Sequence, residues 1–284
     1  MIEMRLLELF SGTGSIGVAF EKRGFEVTSV DIDPGAKATF TCDILDFDYR
    51  QFAPGTFDVV WASPPCTMYS RARTTAKTPR DLEGADVLVK KTRDILDHLK
   101  PRFWCFENVG SGLLPGRDVV AGLHCDFLTY CQYASGDFPK YRKLTAVWHN
   151  LPWTPRPVCC KASPCEWMVG GQHPVSAQRA PAKSGGVRRP TGQDRCSLAT
   201  LYSMPPALCN ELAEVCWEAL RDVVHDDVQG ASEPLDARAA LDFVLLQGSV
   251  DGLFHEAKPW ENGDDDDSEG LAGLKRQSSF LHVA

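Results

Sequence analysis

Apolar positions along the chain fall into short continuous runs separated by turns and by longer amphipathic stretches. Arg5-Leu6-Leu7-Glu8-Leu9-Phe10 has the length and apolarity of a buried strand. Ser11-Gly12-Thr13-Gly14 breaks that run as a turn, and Ser15 to Arg23 has helical spacing closed by Gly24. Phe25 to Val30 forms the next strand and runs into Asp31-Ile32-Asp33-Pro34. Phe57 to Trp61 is another strand, followed at once by Ser63-Pro64-Pro65-Cys66. A helix is expected from Ala85 to Leu99, then a strand from Arg102 to Phe106, and two or more strands between Phe127 and Trp148. Strands alternating with helices predict an α/β fold, a mostly parallel sheet with helices on both faces. Ligands of such sheets sit at the carboxyl ends of the strands.

The pattern changes after residue 150. Residues 151–198 carry prolines at 152, 155, 157, 164, 174, 181 and 190 among Gly, Ser and Cys, which predicts a small loop-rich insertion. Residues 199–221 return to an amphipathic helix, from Pro206 to Arg221, packed on the domain formed by 1–150. Residues 222–284 include Asp264-Asp265-Asp266-Asp267 and one short apolar island at Ala239–Leu246, and are expected to be a disordered acidic tail.

Charge sharpens this division. The chain of 284 residues has a formal net charge of −8. Residues 222–284 hold fourteen acids against four bases, a balance of −10, so the other 221 residues carry +2. The acidity therefore does not exclude a nucleic-acid partner for the folded part. Eleven cysteines at irregular spacing, in a chain too large to need stapling, read as reduced thiols of an intracellular protein. No apolar run is long enough for a membrane span, and the N-terminus lacks the layout of a cleavable signal.

Three turns carry candidate chemistry. Phe10-Ser11-Gly12-Thr13-Gly14, between a strand and a helix, lets backbone approach a ligand closely. Asp31 ends the next strand, where it suits a ribose diol, and Asp43 lies at the third strand-to-helix turn, where it suits an adenine amino group. Plain helix capping, by Asp33-Pro34 and by Cys42-Asp43, is the alternative at both turns. Ser63-Pro64-Pro65-Cys66 projects a thiol at the sheet's ligand edge. The stretch after it holds Arg71, Arg73, Lys77 and Arg80 and no acid, which is expected to lower the thiol pKa and grip phosphates. Phe106-Glu107-Asn108-Val109 is expected to place a carboxyl group just past a strand neighbouring that of Cys66.

Taken together, these motifs, in this order and at these spacings, resemble the cytosine-5 DNA methyltransferase family over roughly residues 5–150. A weaker echo surrounds Met204-Pro205-Pro206. The resemblance implies a Rossmann-like methyltransferase fold and S-adenosyl-L-methionine as cofactor. It implies that Phe10, Ser11, Gly12, Thr13, Gly14, Asp31, Ile32, Asp43, Ile44 and Pro64 hold that cofactor. It implies Cys66 as nucleophile, Glu107 as the acid at cytosine N3, and Arg142 as the group on cytosine O2 and a nearby phosphate. The target base is then flipped out of DNA.

The match has departures. Where the family has Gln-x-Arg-x-Arg, this chain has Lys140-Tyr141-Arg142-Lys143-Leu144, so Lys140 and Lys143 join the candidate DNA contacts. The insertion is short for reading bases in a groove; its Lys183, Arg188 and Arg189 suit phosphates, and sequence preference is expected to be weak or supplied by a partner protein. Cys160, Cys165 and His173, with Cys159 and Cys196 near them in sequence, form a candidate zinc set. The same chemistry on tRNA is the nearest alternative. A catalytically silent binding module is disfavoured by the intact Cys66 and Glu107. A methyltransferase of exocyclic amino groups, suggested by Ser63-Pro64-Pro65, is disfavoured by Cys66 in the position of an aromatic residue.

Overall fold

The computed structural model describes residues 3–73, 76–179 and 194–230. The chain divides into two units, Met1–Ala231 and Ser232–Ala284, and every described residue falls in the first. The expected acidic tail from 231 onward, with its apolar island, lies outside the described residues, as do Lys183, Arg188 and Arg189.

Seven strands form one sheet: β1 (Arg5–Leu9), β2 (Glu26–Asp31), β3 (Phe40–Thr41), β4 (Val59–Ala62), β5 (Phe103–Val109), β6 (Cys125–Thr129) and β7 (Leu144–His149). Their order is β3-β2-β1-β4-β5-β7-β6. β1 to β5 are mutually parallel, and β7 inserts antiparallel between β5 and β6. Chain order runs outward from β1 to β3, then restarts beside β1 with β4. The crevice between β1 and β4 is therefore the point where strand order reverses, the usual ligand site of such sheets.

Side-chain alternation assigns each face its helices. Leu6, Val59, Trp61, Phe103 and Cys105 pack with Ile16, Ala19 and Phe20 of α1 (Ser15–Glu21) and with Leu208, Leu212 and Cys216 of a C-terminal helix. Leu7, Leu9, Val60, Ala62 and Phe106 pack with Ala85, Val89, Ile95 and Leu99 of α2 (Leu82–Leu99). That helix starts where the Asp81 side chain accepts from Gly84 N, 2.8 Å, and stops at left-handed Lys100 before Pro101. Its Asp86 carboxylate, itself buried, accepts from the Tyr69 hydroxyl at 2.8 Å and from Arg117 Nε at 3.0 Å. Tyr69 is fully buried three residues beyond Cys66, so this network anchors the segment that leaves the candidate nucleophile.

Several boundaries differ from expectation. α2 begins three residues before Ala85, because Asp81 caps it. β5 runs three residues past Phe106, because β7 continues to pair with it through Glu107↔Val147, Asn108↔Ala146 and Val109↔Thr145. The insertion holds a separate pair of short parallel strands, β8 (Val175–Arg179) and β9 (Asp194–Cys196), and a short helix α3 (Leu198–Tyr202) follows it. The last helix, α4 (Pro206–Gly230), extends nine residues past Arg221. No helix among the described residues is long and apolar enough to cross a membrane.

An acid interrupts the apolar pattern of β1. Glu8 on β1 is buried under α1, accepts from Gly17 N at 3.1 Å, and has its pKa raised from 4.5 to about 7, burial being the main cause. The folded state therefore binds a proton that the unfolded chain releases between pH 4.5 and about 7, and stability falls as pH rises through that window. Glu8→Gln is expected to remove this slope, so that the stability difference between variant and wild type shifts by on the order of 3 kcal/mol across the window. Urea unfolding at a series of pH values measures it; parallel stability curves would contradict the protonation.

Candidate active site

The turn after β1 is built for close approach. Phe10, Gly12 and Gly14 all have positive φ, 57°, 49° and 65°. A Cβ on Gly14 would meet nothing within 4 Å and one on Gly12 only Phe10 O at 3.9 Å, so the turn faces open space while its backbone demands glycine. Asp31, at the end of β2, clasps the turn: its two oxygens accept from Gly12 N at 2.7 Å and Asp33 N at 2.8 Å. Each oxygen keeps acceptor capacity for a diol. Ser11 Oγ is buried and has no partner among the described residues. Thr13 Oγ1 pairs with Ser15 Oγ at 2.7 Å.

Ile32 is 66% exposed, an apolar surface beside Asp31. Asp43 accepts from Leu45 N at 2.9 Å, so it does cap its own turn. Ile44 is buried in the core with Phe47 and Tyr49, which leaves Asp43 and Ile32 as the surface on this side. The open glycine turn, the unpartnered Ser11 hydroxyl and the carboxylate of Asp31 fit an adenosine-bearing cofactor.

The second turn lies across the β1–β4 crevice. Ser63 N donates to Leu9 O at 3.1 Å, and Trp61 Nε1 donates to Ser63 Oγ at 2.9 Å. Pro64 is buried, and its carbonyl accepts from the buried amide Asn108 Nδ2 at 2.9 Å. Asn108 Oδ1 accepts from Val109 N at 3.0 Å. Cys66 is half-buried, and its carbonyl closes a turn by accepting from Tyr69 N and Ser70 N at 3.0 and 2.9 Å.

Glu107 sits within β5, not past it. Alternation places it on the α1/α4 face, where its charge reaches Cys66, Tyr130, Tyr141 and Cys209. Its Oε2 is buried without a hydrogen-bond partner among the described residues. Burial is the largest influence on the Cys66 thiol and pushes its pKa up; Lys143 pulls it down, and Glu107 pushes it further up.

This corrects the expectation that the basic segment after Cys66 lowers the thiol pKa. Arg73 donates to Thr78 O at 2.7 Å and Arg80 to Ser70 O at 3.0 Å and to Met68 O, so both fasten their own loop. Arg71 and Lys77 are exposed. The cation that reaches the thiol is Lys143, whose Nζ stands 4.6 Å from the Tyr130 ring centroid.

The neighbouring motif is also redistributed. Lys140 bonds Gly136 O and lies 5.3 Å over the Trp167 ring. Arg142 Nε donates to Cys159 O at 2.8 Å. The candidate metal set is corrected as well: Cys160 Sγ accepts from Ser163 N at 3.3 Å in a local turn, and the residues that converge are Cys131, Cys159, Cys165 and His173. Sequence reasoning missed Cys131, and it quoted Asn108 without giving it work. A buried-strand amide beside the acid was the available signal for Asn108.

The chain matches the model of the C-5 cytosine-specific DNA methylase family over residues 4–117. It is 29% identical over 225 residues to a probable DNA (cytosine-5)-methyltransferase of Frog virus 3 (isolate Goorha), covering 75% of this chain and 100% of that protein. It is 32% identical over 124 residues to the type II methyltransferase M.NgoPII of Neisseria gonorrhoeae, covering 40% of this chain and 35% of the relative. It is 27% identical over 168 residues to M.XorII of Xanthomonas oryzae pv. oryzae (strain KACC10331 / KXO85), 51% of this chain and 37% of the relative. The chain thus spans the whole of the viral relative and just over a third of each bacterial one.

A buried thiol flanked by one cation and one acid gives a specific titration. Alkylation of Cys66 by iodoacetamide, followed by mass spectrometry of its peptide, is expected to rise with pH through a midpoint above that of an unperturbed thiol. Lys143→Gln should move the midpoint higher and Glu107→Gln lower. A wild-type midpoint below that of a free cysteine would contradict the dominance of burial.

Proposed function

We propose, from the match to the C-5 cytosine-specific DNA methylase model over residues 4–117 and the likeness to the viral relative, that the chain is a member of that family and methylates cytosine C5 in DNA through a covalent bond to Cys66. The observation that carries this reading is the buried, unpartnered Glu107 Oε2 within electrostatic reach of the Cys66 thiol. A nucleophile and an unsatisfied acid at one sheet edge want a substrate offering both an electrophilic carbon and a ring nitrogen.

Cytosine supplies both. The Cys66 thiolate attacks C6 and forms the S–C6 bond as the C5–C6 double bond opens, and the displaced electron pair comes to rest on N3, to which Glu107 in its protonated form donates a hydrogen bond or its proton. C5 then carries enamine character. Phe10, Ser11, the Gly12 and Gly14 backbone, Asp31 and Ile32 would hold S-adenosyl-L-methionine, which would supply the methyl group for C5 and leave as S-adenosylhomocysteine. Loss of the C5 proton to solvent restores the C5–C6 double bond and expels Cys66 as thiolate, while N3 returns its proton to Glu107. Lys143, whose charge lowers the Cys66 pKa, stabilises the thiolate before attack and after release.

A stacked base cannot present C6 to this turn, so the target is extruded or already unpaired. Arg142 is the group proposed for cytosine O2 and an adjacent phosphate. Lys140, Arg71 and Lys77 suit further phosphates. Recognition rests on the segment between β7 and α3, with a partner protein supplying what that short segment lacks.

Purified protein and a Cys66→Ala variant, given labelled S-adenosylmethionine with genomic DNA and with total tRNA, test the reading by nucleoside mass spectrometry. 5-Methylcytosine is expected in DNA with wild type and at background with Cys66→Ala. Glu107→Gln is expected to lower kcat by about 10²–10⁴-fold with cofactor affinity retained. 5-Methylcytosine in tRNA alone would overturn the DNA assignment, and no modified base in either would overturn the activity.

A further inference from the structure

The side chains of Cys131, Cys159, Cys165 and His173 are all buried, and one ligand atom from each lies within 4.8 Å of every other. His173 Nε2 stands 3.6 Å from Cys159 Sγ and 3.3 Å from Cys165 Sγ. A tetrahedral zinc ion with arms of about 2.3 Å to sulfur and about 2.0 Å to nitrogen has sulfur–nitrogen edges of about 3.6 Å. We propose that these four residues form a closed Cys₃His site for one structural zinc ion.

Donor chemistry favours zinc among divalent ions, since three soft thiolates and one imidazole are poor ligands for magnesium or calcium. Four protein ligands leave no open position, which is the pattern of a structural site and not of a catalytic one. The need for such a site is visible in the packing. Around these three cysteines the apolar shell consists of partly buried Trp167 and Met168, too little to hold a loop-rich segment by burial alone. A metal would supply the missing cohesion. It would also join two parts of the chain, because Cys131 lies in the turn after β6 (Tyr130–Tyr133) while the other three ligands lie in the insertion.

Backbone geometry supports the ligand choice between adjacent cysteines. Cys159 N donates to Thr129 Oγ1 at 2.9 Å and Cys165 N donates to Cys159 Sγ at 3.2 Å, turning Cys159 inward. Amide donation to a ligand sulfur is how thiolate charge is spread in such sites. Three thiolates and Zn²⁺ leave a net charge of −1, and the neighbouring cation is Arg142, whose Nε donates to Cys159 O and whose charge reaches His173. The site thus fixes the backbone to which Arg142 is bonded, which makes it a positioning element for the base-binding side.

The full chain, purified without chelator, is expected to contain about one zinc per chain by elemental mass spectrometry. Cys131→Ser and Cys159→Ser should each reduce zinc to background, whereas Cys160→Ser should retain it. A ligand variant that fails to fold is covered by cobalt exchange into wild type. Tetrahedral d–d bands with intense thiolate-to-cobalt charge transfer are expected, and an octahedral spectrum would overturn the site. Folded, metal-free protein with alkylatable thiols, or with a disulfide among the three cysteines, would overturn it. So would zinc lost in Cys160→Ser and kept in Cys131→Ser.

Discussion

Everything at the active site hangs on one buried hydrogen bond, from Asn108 Nδ2 to Pro64 O at 2.9 Å. β4 and β5 are parallel and in register, Ala62 opposite Phe106, so the residues beyond β4 emerge beside the last residues of β5. Register alone brings two backbones together. The Asn108 amide fixes the Pro64–Cys66 turn against the strand that carries Glu107, and a buried amide has no water to bond instead. Cys66 and Glu107 are thereby held by the same strand pair, with Ser63 N on Leu9 O tying the Ser11–Gly14 turn to the same frame.

The electrostatics of this frame oppose each other. Burial and Glu107 keep the thiol protonated, and Lys143 favours the thiolate. Burial thus favours the thiol form of the half-buried Cys66. A base seated on Glu107 Oε2 would engage the very carboxylate whose charge raises the Cys66 pKa. Under the proposed reaction, a base seated there would couple substrate binding to thiolate formation.

Much of this was legible in the sequence, for reasons that particular residues make clear. Short apolar runs ending in Gly12, Asp31 and Cys66 mark strand ends because buried strands tolerate few other punctuations, and the sheet places those ends as expected. Glu107 was harder: a carboxylate usually ends an apolar strand, and only the pairing with β7 keeps β5 going through it. The sequence suggests Lys143 as a DNA contact, since nothing local tells that its side chain lies over Tyr130 with its charge reaching the thiol. Spacing pointed to Cys160, yet inward orientation belongs to Cys159 through Thr129, and Cys131 lies too far along the chain for local spacing to include it. The extension of α4 past Arg221 was hidden by the acids that follow, because charge balance carries little information on helix length.

The central claim, that Cys66 at the end of β4 and Glu107 on β5 act on one cytosine, is tested most directly by trapping. The protein is incubated with S-adenosylmethionine and DNA containing 5-fluorocytosine, whose fluorine cannot leave as the C5 proton does. The covalent complex is then digested and mapped by mass spectrometry. The account predicts a methylated fluorocytosine on the Cys66 peptide, with trapping strongly slowed in Asn108→Ala, where the turn loses its tie to β5. An adduct on any other cysteine, or none with DNA and cofactor both bound, would contradict it.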